Sequence, residues 1–265
     1  ITGNVCDGME VKATGNISIA GFVESAYIEC GGDLAVAKGI IGRKRTSDDH
    51  PFSCEIHCKG LVEAGFSQYA EMHIGKHLHV KNQLLHCMVL CQGHIKVENE
   101  KGNKGVILGG LLAPGEGIST VTLGAPAGTN TLIDLIGIYP ELMQAKKRIT
   151  NKIQDENQHL HSVFTSQQKI AAMPNSEKKE TLKTRFIELE KEYSATLETL
   201  KIEQRDNLIS LEAYFKQSRV SVSNTLFSQI KISIANGVLL TMRDYGPSLV
   251  RIKEHEIIIE PRNKT

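Results

Sequence analysis

The stretch Tyr27-Ile28-Glu29-Cys30-Gly31-Gly32-Asp33-Leu34-Ala35-Val36 decides the fold. Two short runs of alternating apolar and polar residues meet at a glycine corner. The pattern returns as Glu71-Met72-His73-Ile74-Gly75-Lys76-His77-Leu78-His79-Val80, and again as Met88-Val89-Leu90-Cys91-Gln92-Gly93-His94-Ile95-Lys96-Val97. Leu78 and Ile95 stand 17 residues apart, and so do Gly15 and Gly32. Alternation at period two marks strands with one buried face, and a unit of near-constant length marks a solenoid. The turn pairs that β-hairpins need are missing between these runs. Residues from Val11 to Val97 are therefore expected to form coils of a parallel β-helix.

Working outward, Ile17 and Ile19, Ile28 and Cys30, and Leu34 and Val36 are expected to point inward. Cys30, Cys58 and Cys91 occupy the place that Ile74 takes in another unit, so each acts as a small hydrophobe. They are expected as buried free thiols in one internal ladder, which fits a reducing, cytoplasmic compartment. The polar segment from Gly42 to Pro51, with Arg43, Lys44 and Arg45, interrupts the spacing and reads as a loop bulging from one corner. Residues 99–110 are rich in Gly and Lys and read as a turn. Short strands follow around Val106–Ala113 and Val121–Ile133.

At Tyr139-Pro140 the period changes, and a proline in the first turn suits a helix start. Leu142, Ile149, Ile153, Leu160, Val163 and Ile170 follow three-four spacing. Met173-Pro174-Asn175-Ser176 breaks the helix, and Ser176 can cap a second one that opens with Glu177 and Glu180. Leu182, Phe186, Leu189, Tyr193, Leu197, Leu200, Leu208, Leu211 and Phe215 make its apolar stripe. The expectation is an antiparallel coiled-coil hairpin with Leu160 against Leu197 or Leu200. Its second helix, about 40 residues, would reach roughly 60 Å. Alternation returns after Val220. The division is thus β-helix coils over 1–138, the helical hairpin over 139–218, and returning strands over 219–265 that complete the β-helix.

The totals narrow the function. With 31 basic and 30 acidic residues the formal charge is +1, which disfavours electrostatic binding of nucleic acid. Aromatic residues are 5% of the chain and tryptophan is absent, as suits a narrow interior of Val, Ile and Leu. No apolar run is long enough to span a membrane, and no signal-peptide pattern is visible. The segment from Cys54 to His94 holds Cys54, His57, Cys58, His73, His77, His79, His86, Cys87, Cys91 and His94, and metal binding is the sharpest rival reading. On a strand, however, Cys58 and Cys91 face inward where His57 faces out. Gly115-Glu116-Gly117 lacks the third glycine of a dinucleotide fingerprint, and Gly75-Lys76-His77 is no phosphate loop. No nucleophile elbow occurs. No catalytic, cofactor-binding or metal-ligating residue is accordingly expected.

The glycine-cornered coils, the segment Leu123-Gly124-Ala125-Pro126-Ala127-Gly128-Thr129-Asn130-Thr131, the two helices and the closing strands, in that order, resemble the bacterial flagellar assembly protein A family. The similarity runs from the first coils to about Glu260. Gly-Asp corners, common in that family, survive only at Gly32-Asp33. The resemblance implies a non-enzymatic cytoplasmic protein that helps place or regulate flagella at the cell pole through protein partners. It implies no cofactor and no nucleic acid. A more distant likeness to bactofilins and to the β-helix domain of the division inhibitor MinC implies the alternative of a polymer-forming scaffold or homo-oligomer.

Overall fold

The computed structural model describes residues 1–45, 51–254 and 256–262. Its strands are β1 (Glu10–Ala13), β2 (Ile17–Ile19), β3 (Val23–Glu24), β4 (Tyr27–Cys30), β5 (Leu34–Ile41), β6 (Cys54–Cys58) and β7 (Val62–Gln68). Next come β8 (Ala70–Ile74), β9 (Leu78–Val80), β10 (Gln83–Cys91), β11 (His94–Val97), β12 (Val106–Pro114), β13 (Gly117–Leu123) and β14 (Thr131–Asp134). Two helices follow, α1 (Tyr139–Ala171) and α2 (Glu177–Gln217). The chain ends with β15 (Arg219–Leu226), β16 (Ile230–Ile234), β17 (Gly237–Leu240), β18 (Ser248–Lys253) and β19 (Glu256–Pro261). It divides into two compact units, one of residues 1–138 with 214–265 and one of residues 139–213.

In the larger unit parallel pairing builds three faces. Face 1 stacks β1, β4, β6, β8, the C-terminal half of β10, that of β12, then β14 and β16. Face 2 runs from β2 through β5, β7, β9, β11 and β13 to β15. Face 3 is built from β3 and the remaining halves of β5, β7, β10, β12, β13 and β15. Alternation sends every second side chain inward, so like residues pile up. On face 1, Ile28, Ile56, Met72, Val89, Leu112, Ile133 and Ile232 form one buried column in register.

The corners explain the glycines. Between faces 1 and 2 the chain turns within two or three residues, and the N–H of Gly31, Gly75 and Gly115 bonds the carbonyl of Ala13, Cys58 and Cys91 respectively. A Cβ on any of the three would run into a carbonyl oxygen of the preceding coil, namely that of Thr14, Lys59 or Gln92. Close approach, not an unusual φ, selects glycine there. The residue two places on ties the coils together. Asn16 Oδ1 accepts the N–H of Asp33 at 2.8 Å, Asp33 Oδ1 that of Leu61 at 2.8 Å, and His77 Nδ1 that of His94 at 2.9 Å. His77 thus does the work of an Asn or Asp. Between faces 3 and 1 left-handed backbone makes the corner: Ser25 (φ 48°), Tyr69 (49°), His86 (51°), Gly109 (66°) followed by Gly110 (89°), and Gln229 (63°). Most of these are not glycine, so this corner is silent in a search for glycines.

The thiols stack as expected: Cys30 pairs with Cys58, Cys58 with Ile74, and Ile74 with Cys91, all buried. Each sulfur also donates to a corner carbonyl of the coil before, Gly15 O at 3.3 Å, Gly32 O at 3.2 Å and Lys76 O at 3.1 Å. An isoleucine would leave those carbonyls without that contact. The insert expected from Gly42 to Pro51 is flanked by a bridge of Lys44 with Phe52 and an Arg43–Asp7 ion pair at 3.2 Å; its residues 46–50 lie outside the described residues.

The returning strands differ from the expectation that they complete the β-helix. β15 and β16 do continue the parallel faces, but β17 pairs antiparallel with β16, β18 with β15, and β19 with β18. The reason is local. Only Ala235 (φ 52°) and Asn236 separate β16 from β17, and so short a connection can only reverse the chain. Alternation in the sequence is the same for either direction.

In the smaller unit both helices begin where their signals stand. Ser176 Oγ accepts the N–H of Lys179 at 3.3 Å, and Lys179 Nζ reaches back to the carbonyls of Ala171 at 3.1 Å and Met173 at 2.6 Å. Cross-helix contacts run in antiparallel order: Asn207 Nδ2 to Leu142 O at 3.1 Å, the His159 and Tyr193 rings at 5.2 Å, and Gln167 Nε2 to Glu190 Oε2 at 2.8 Å. This register places Leu197 and Leu200 opposite the turn around Ile153 and Glu156 rather than opposite Leu160. The sequence stripe alone could not tell one turn from the next. Among the described residues no helix is long and apolar enough to cross a membrane.

Candidate protein-interaction face

Face 1 presents its other side chains outward in two columns, and their chemistry changes along the axis. One column reads Glu10, Tyr27, Glu55, Glu71, Met88, Leu111, Leu132, Lys231, Leu240. Beside it stand Lys12, Glu29, His57, His73, Leu90 and Ala113, with Asp134, Ser233 and Val238 towards the other end. The first four coils are charged and aromatic. The later ones are mostly aliphatic, and Leu90, Leu132, Leu240 and Val238 are 37%, 41%, 50% and 63% exposed.

The charged half is internally paired. Lys12 Nζ lies 2.6 Å from Glu10 and 3.8 Å from Glu29, and the bond to Glu10 holds its pKa above the usual lysine value. His57 Nε2 meets Glu55 at 2.6 Å and His73 Nε2 meets Glu71 at 3.1 Å. The Glu-x-His repeat puts donor and acceptor on the same side of a strand, and the coil spacing stacks the imidazoles, 4.7 Å apart and 5° from parallel. Tyr27 extends this aromatic file, 5.6 Å from His57. Burial, and then the carboxylate of Glu29, push the Tyr27 hydroxyl above its ordinary pKa.

A groove of about 1220 Å³ follows the second of these columns, lined by Lys12, Glu29, His57, His73, Leu90 and Asp134 among others. It runs past the corners of Gly31, Gly75 and Gly115. The six steps of about 4.8 Å between seven stacked coils give it a length near 29 Å. A trough of that length, with ion pairs at one end and aliphatic side chains at the other, can seat an elongated partner segment along the solenoid axis.

The Cys/His-rich segment is dispersed by the same alternation. Cys54, Cys58, Cys87 and Cys91 point into the core, and burial pushes each thiol up to about 11. The imidazoles point elsewhere. His57 and His73 lie on face 1, His77 at its corner, His86 stacked on Tyr69 at 5.2 Å, and His79 bonded to Glu98 O at 3.1 Å. His94, bonded to Ser119 Oγ at 2.9 Å, has its pKa lowered chiefly by burial. No group of three such side chains is placed to hold a metal ion among the described residues.

The aliphatic half of face 1 was not singled out from the sequence. Its members are spread from Met88 to Leu240, and only the pairing register brings them together. The available signal was that Leu90 and Leu132 occupy polar positions of the alternation.

No curated protein and no solved structure matches the chain. A family model for the flagellar assembly protein A beta solenoid domain matches residues 1–257. The match takes in the stacked coils and both helices set between β14 and β15, and the chain is a member of the flagellar assembly protein A β-solenoid family.

Proposed function

We propose that the protein is a non-enzymatic regulator or scaffold of flagellar assembly or placement, acting in the cytoplasm and recruited to the cell pole by protein partners. Membership of the flagellar assembly family supports the setting. The observation that carries the mode of action is the group of exposed aliphatic side chains on the later coils of face 1, interrupted by Asp134, Lys231 and Ser233, since apolar surface grouped on a folded chain commonly marks a protein contact. In this reading the solenoid winds right-handed and is divided at 138 and 218. Cross-helix contacts such as His159 with Tyr193 support treating the helices as an antiparallel coiled-coil hairpin that offers a second docking element. A bactofilin-like polymer is less favoured, because end-to-end stacking needs open strand edges at both ends and β17, β18 and β19 are appended at one of them.

The test is genetic. In a strain lacking the native copy, the Leu132→Arg/Leu240→Arg variant should fold, by circular dichroism and thermal melting, yet fail to restore normal flagellar number and position. Wild-type flagellation in cells carrying that folded variant would remove face 1 as the docking surface. Normal flagellation in the strain lacking the protein altogether would remove the flagellar role itself.

A further inference from the structure

The last strand of the solenoid keeps one edge for pairing. Among the described residues β19 bonds β18 alone. In an antiparallel pair, alternate residues turn their N–H and C=O towards the neighbouring strand or away from it. Arg262 donates its N–H to Pro247 O at 3.0 Å, so Glu260, Ile258 and Glu256 also aim their backbone groups at β18. Ile257, Ile259 and Pro261 therefore aim theirs at the open edge, the proline offering only its carbonyl. On the side-chain level, Ile259 stands opposite the fully buried Val250 and shares its core side, as does Ile257. Both are nevertheless only half-buried, as is Leu239 of β17, which faces the core opposite Ile232. Ile257 packs over Gly237 of β17, so these side chains share one level and form a half-covered floor to the core. An edge with three isoleucines in a row is built to pair, not to stay solvated.

We infer that β19 pairs with β19 of a second copy, antiparallel, about a two-fold axis through Ile259, joining two solenoids floor to floor. Ile259 then stands opposite Ile259 of the second copy and exchanges two N–H···O bonds with it. Each Ile257 stands opposite Pro261 of the second copy and donates its N–H to that carbonyl. Directly opposed residues point to the same side of the sheet, so the core side is aliphatic throughout. On the outer side Glu256 meets Arg262 of the second copy, and the contact occurs twice. Glu260, held by Arg251 at 2.8 Å, meets Ile258.

These charges choose both the occupant and the register. With the axis moved to Ile258, Glu256 opposes Glu260 twice; with the axis moved to Glu260, that residue opposes its own mate. Like charges directly opposite are destabilising. An isologous contact closes on itself, so the product is a dimer and not a filament. Seven residues a side make it about 24 Å long. That is the small end of specific interfaces, and association is expected at micromolar concentration.

Sedimentation of the 265-residue chain from about 5 to 200 μM tests this. The wild type should pass reversibly from monomer to dimer. Arg262→Glu sets like charges opposite Glu256 at both ends and should weaken dimerisation about tenfold. Glu256→Arg should weaken it similarly, and the double exchange Glu256→Arg/Arg262→Glu should bring the dimer back. Circular dichroism and thermal melting of each variant should match the wild type, since neither side chain is in the core. In a Cys6→Ser background, Glu256→Cys/Arg262→Cys should oxidise to cross-links joining position 256 to position 262 between chains. A wild type that stays monomeric, or that grows into filaments, overturns the inference. So does a dimer indifferent to Arg262→Glu or strengthened by Glu256→Arg, a double exchange that fails to rescue, or cross-links joining 256 to 256.

Discussion

Treat the native protein with a thiol-specific aromatic disulfide reagent at pH 8 and follow the released chromophore. The chain has six cysteines, of which Cys6 is exposed and the other five are buried. Two effects multiply. An ordinary thiol with pKa near 8.5 is about one quarter thiolate at this pH. Held near 11, Cys54, Cys58, Cys87 and Cys91 are only about one thousandth thiolate. Their attack is slowed a few-hundred-fold by ionisation alone. The second effect is access: Cys54 and Cys87 are completely covered, and Cys30 is 1% exposed with its S–H directed at the Gly15 carbonyl. Reaction at these sites must wait for the coils to open. The expected trace is a burst of one equivalent, assigned to Cys6, then a phase slower by at least two orders of magnitude. Six equivalents appear at once in denaturant. A native burst of two or more equivalents would refute the internal thiol ladder. Fewer than six in denaturant without reductant would mean a disulfide, and would refute the free-thiol description.

The same thiols make stability fall in alkali. A native thiol that keeps its proton while the unfolded chain loses it near 8.5 binds more protons in the folded state. The stabilisation is complete below about pH 8.5 and is lost as pH rises towards 11. For Cys87 the slope approaches about 1.4 kcal/mol per pH unit, so the urea midpoint should drop between pH 7.5 and 9.5. It should drop less in Cys87→Ala, and equal drops in both proteins would contradict the assignment. Gly75→Ala places a Cβ against the Lys59 carbonyl, a backbone atom that cannot step aside, and should cost about 1–3 kcal/mol by chemical denaturation. Gly15, one place further along the corner of the first paired coil, has nothing within 4 Å of such a Cβ. Gly15→Ala should therefore stay within about 0.5 kcal/mol, and equal losses at the two glycines would show that close approach is not what selects them.

How far the sequence could be read follows from which signals are local. Period-two runs such as Ile28/Cys30 and Ile56/Cys58 declare a buried face by themselves, and the 17-residue return declares stacking. Tyr139-Pro140 and Ser176 mark helix starts because capping chemistry acts within one turn. Strand direction is not local in this sense. Ile230 to Ile234 and Val238 to Leu240 alternate alike, yet one continues the parallel face and the other reverses on it. The left-handed corners at Ser25, Tyr69 and His86 escaped because each stands without a Gly or Pro beside it to mark the turn. The outward aliphatic column escaped because it becomes a surface only after β10, β12, β14, β16 and β17 are in register.

The position of the two helices also sets an order of events during folding. Through the early coils, strands pair with partners 16 to 28 residues away, as Glu10 does with Tyr27, Tyr27 with Glu55 and Glu55 with Glu71. Leu132 pairs with Lys231, 99 residues on. Closing a loop that much longer than a 17-residue one costs about 1.6 kcal/mol more in chain entropy. The early coils can zip one after another while the chain is still being synthesised. The last coil must wait until the whole of α2 has emerged. Once it has, Tyr214 fastens the junction, donating its hydroxyl proton to Leu135 O at 2.8 Å and accepting the N–H of Ala235 at 2.9 Å. Until that moment the lower rim of the growing solenoid is an open strand edge, and a ribosome-bound or chaperone-bound state with β14 exposed is the form of this protein most prone to misassociation.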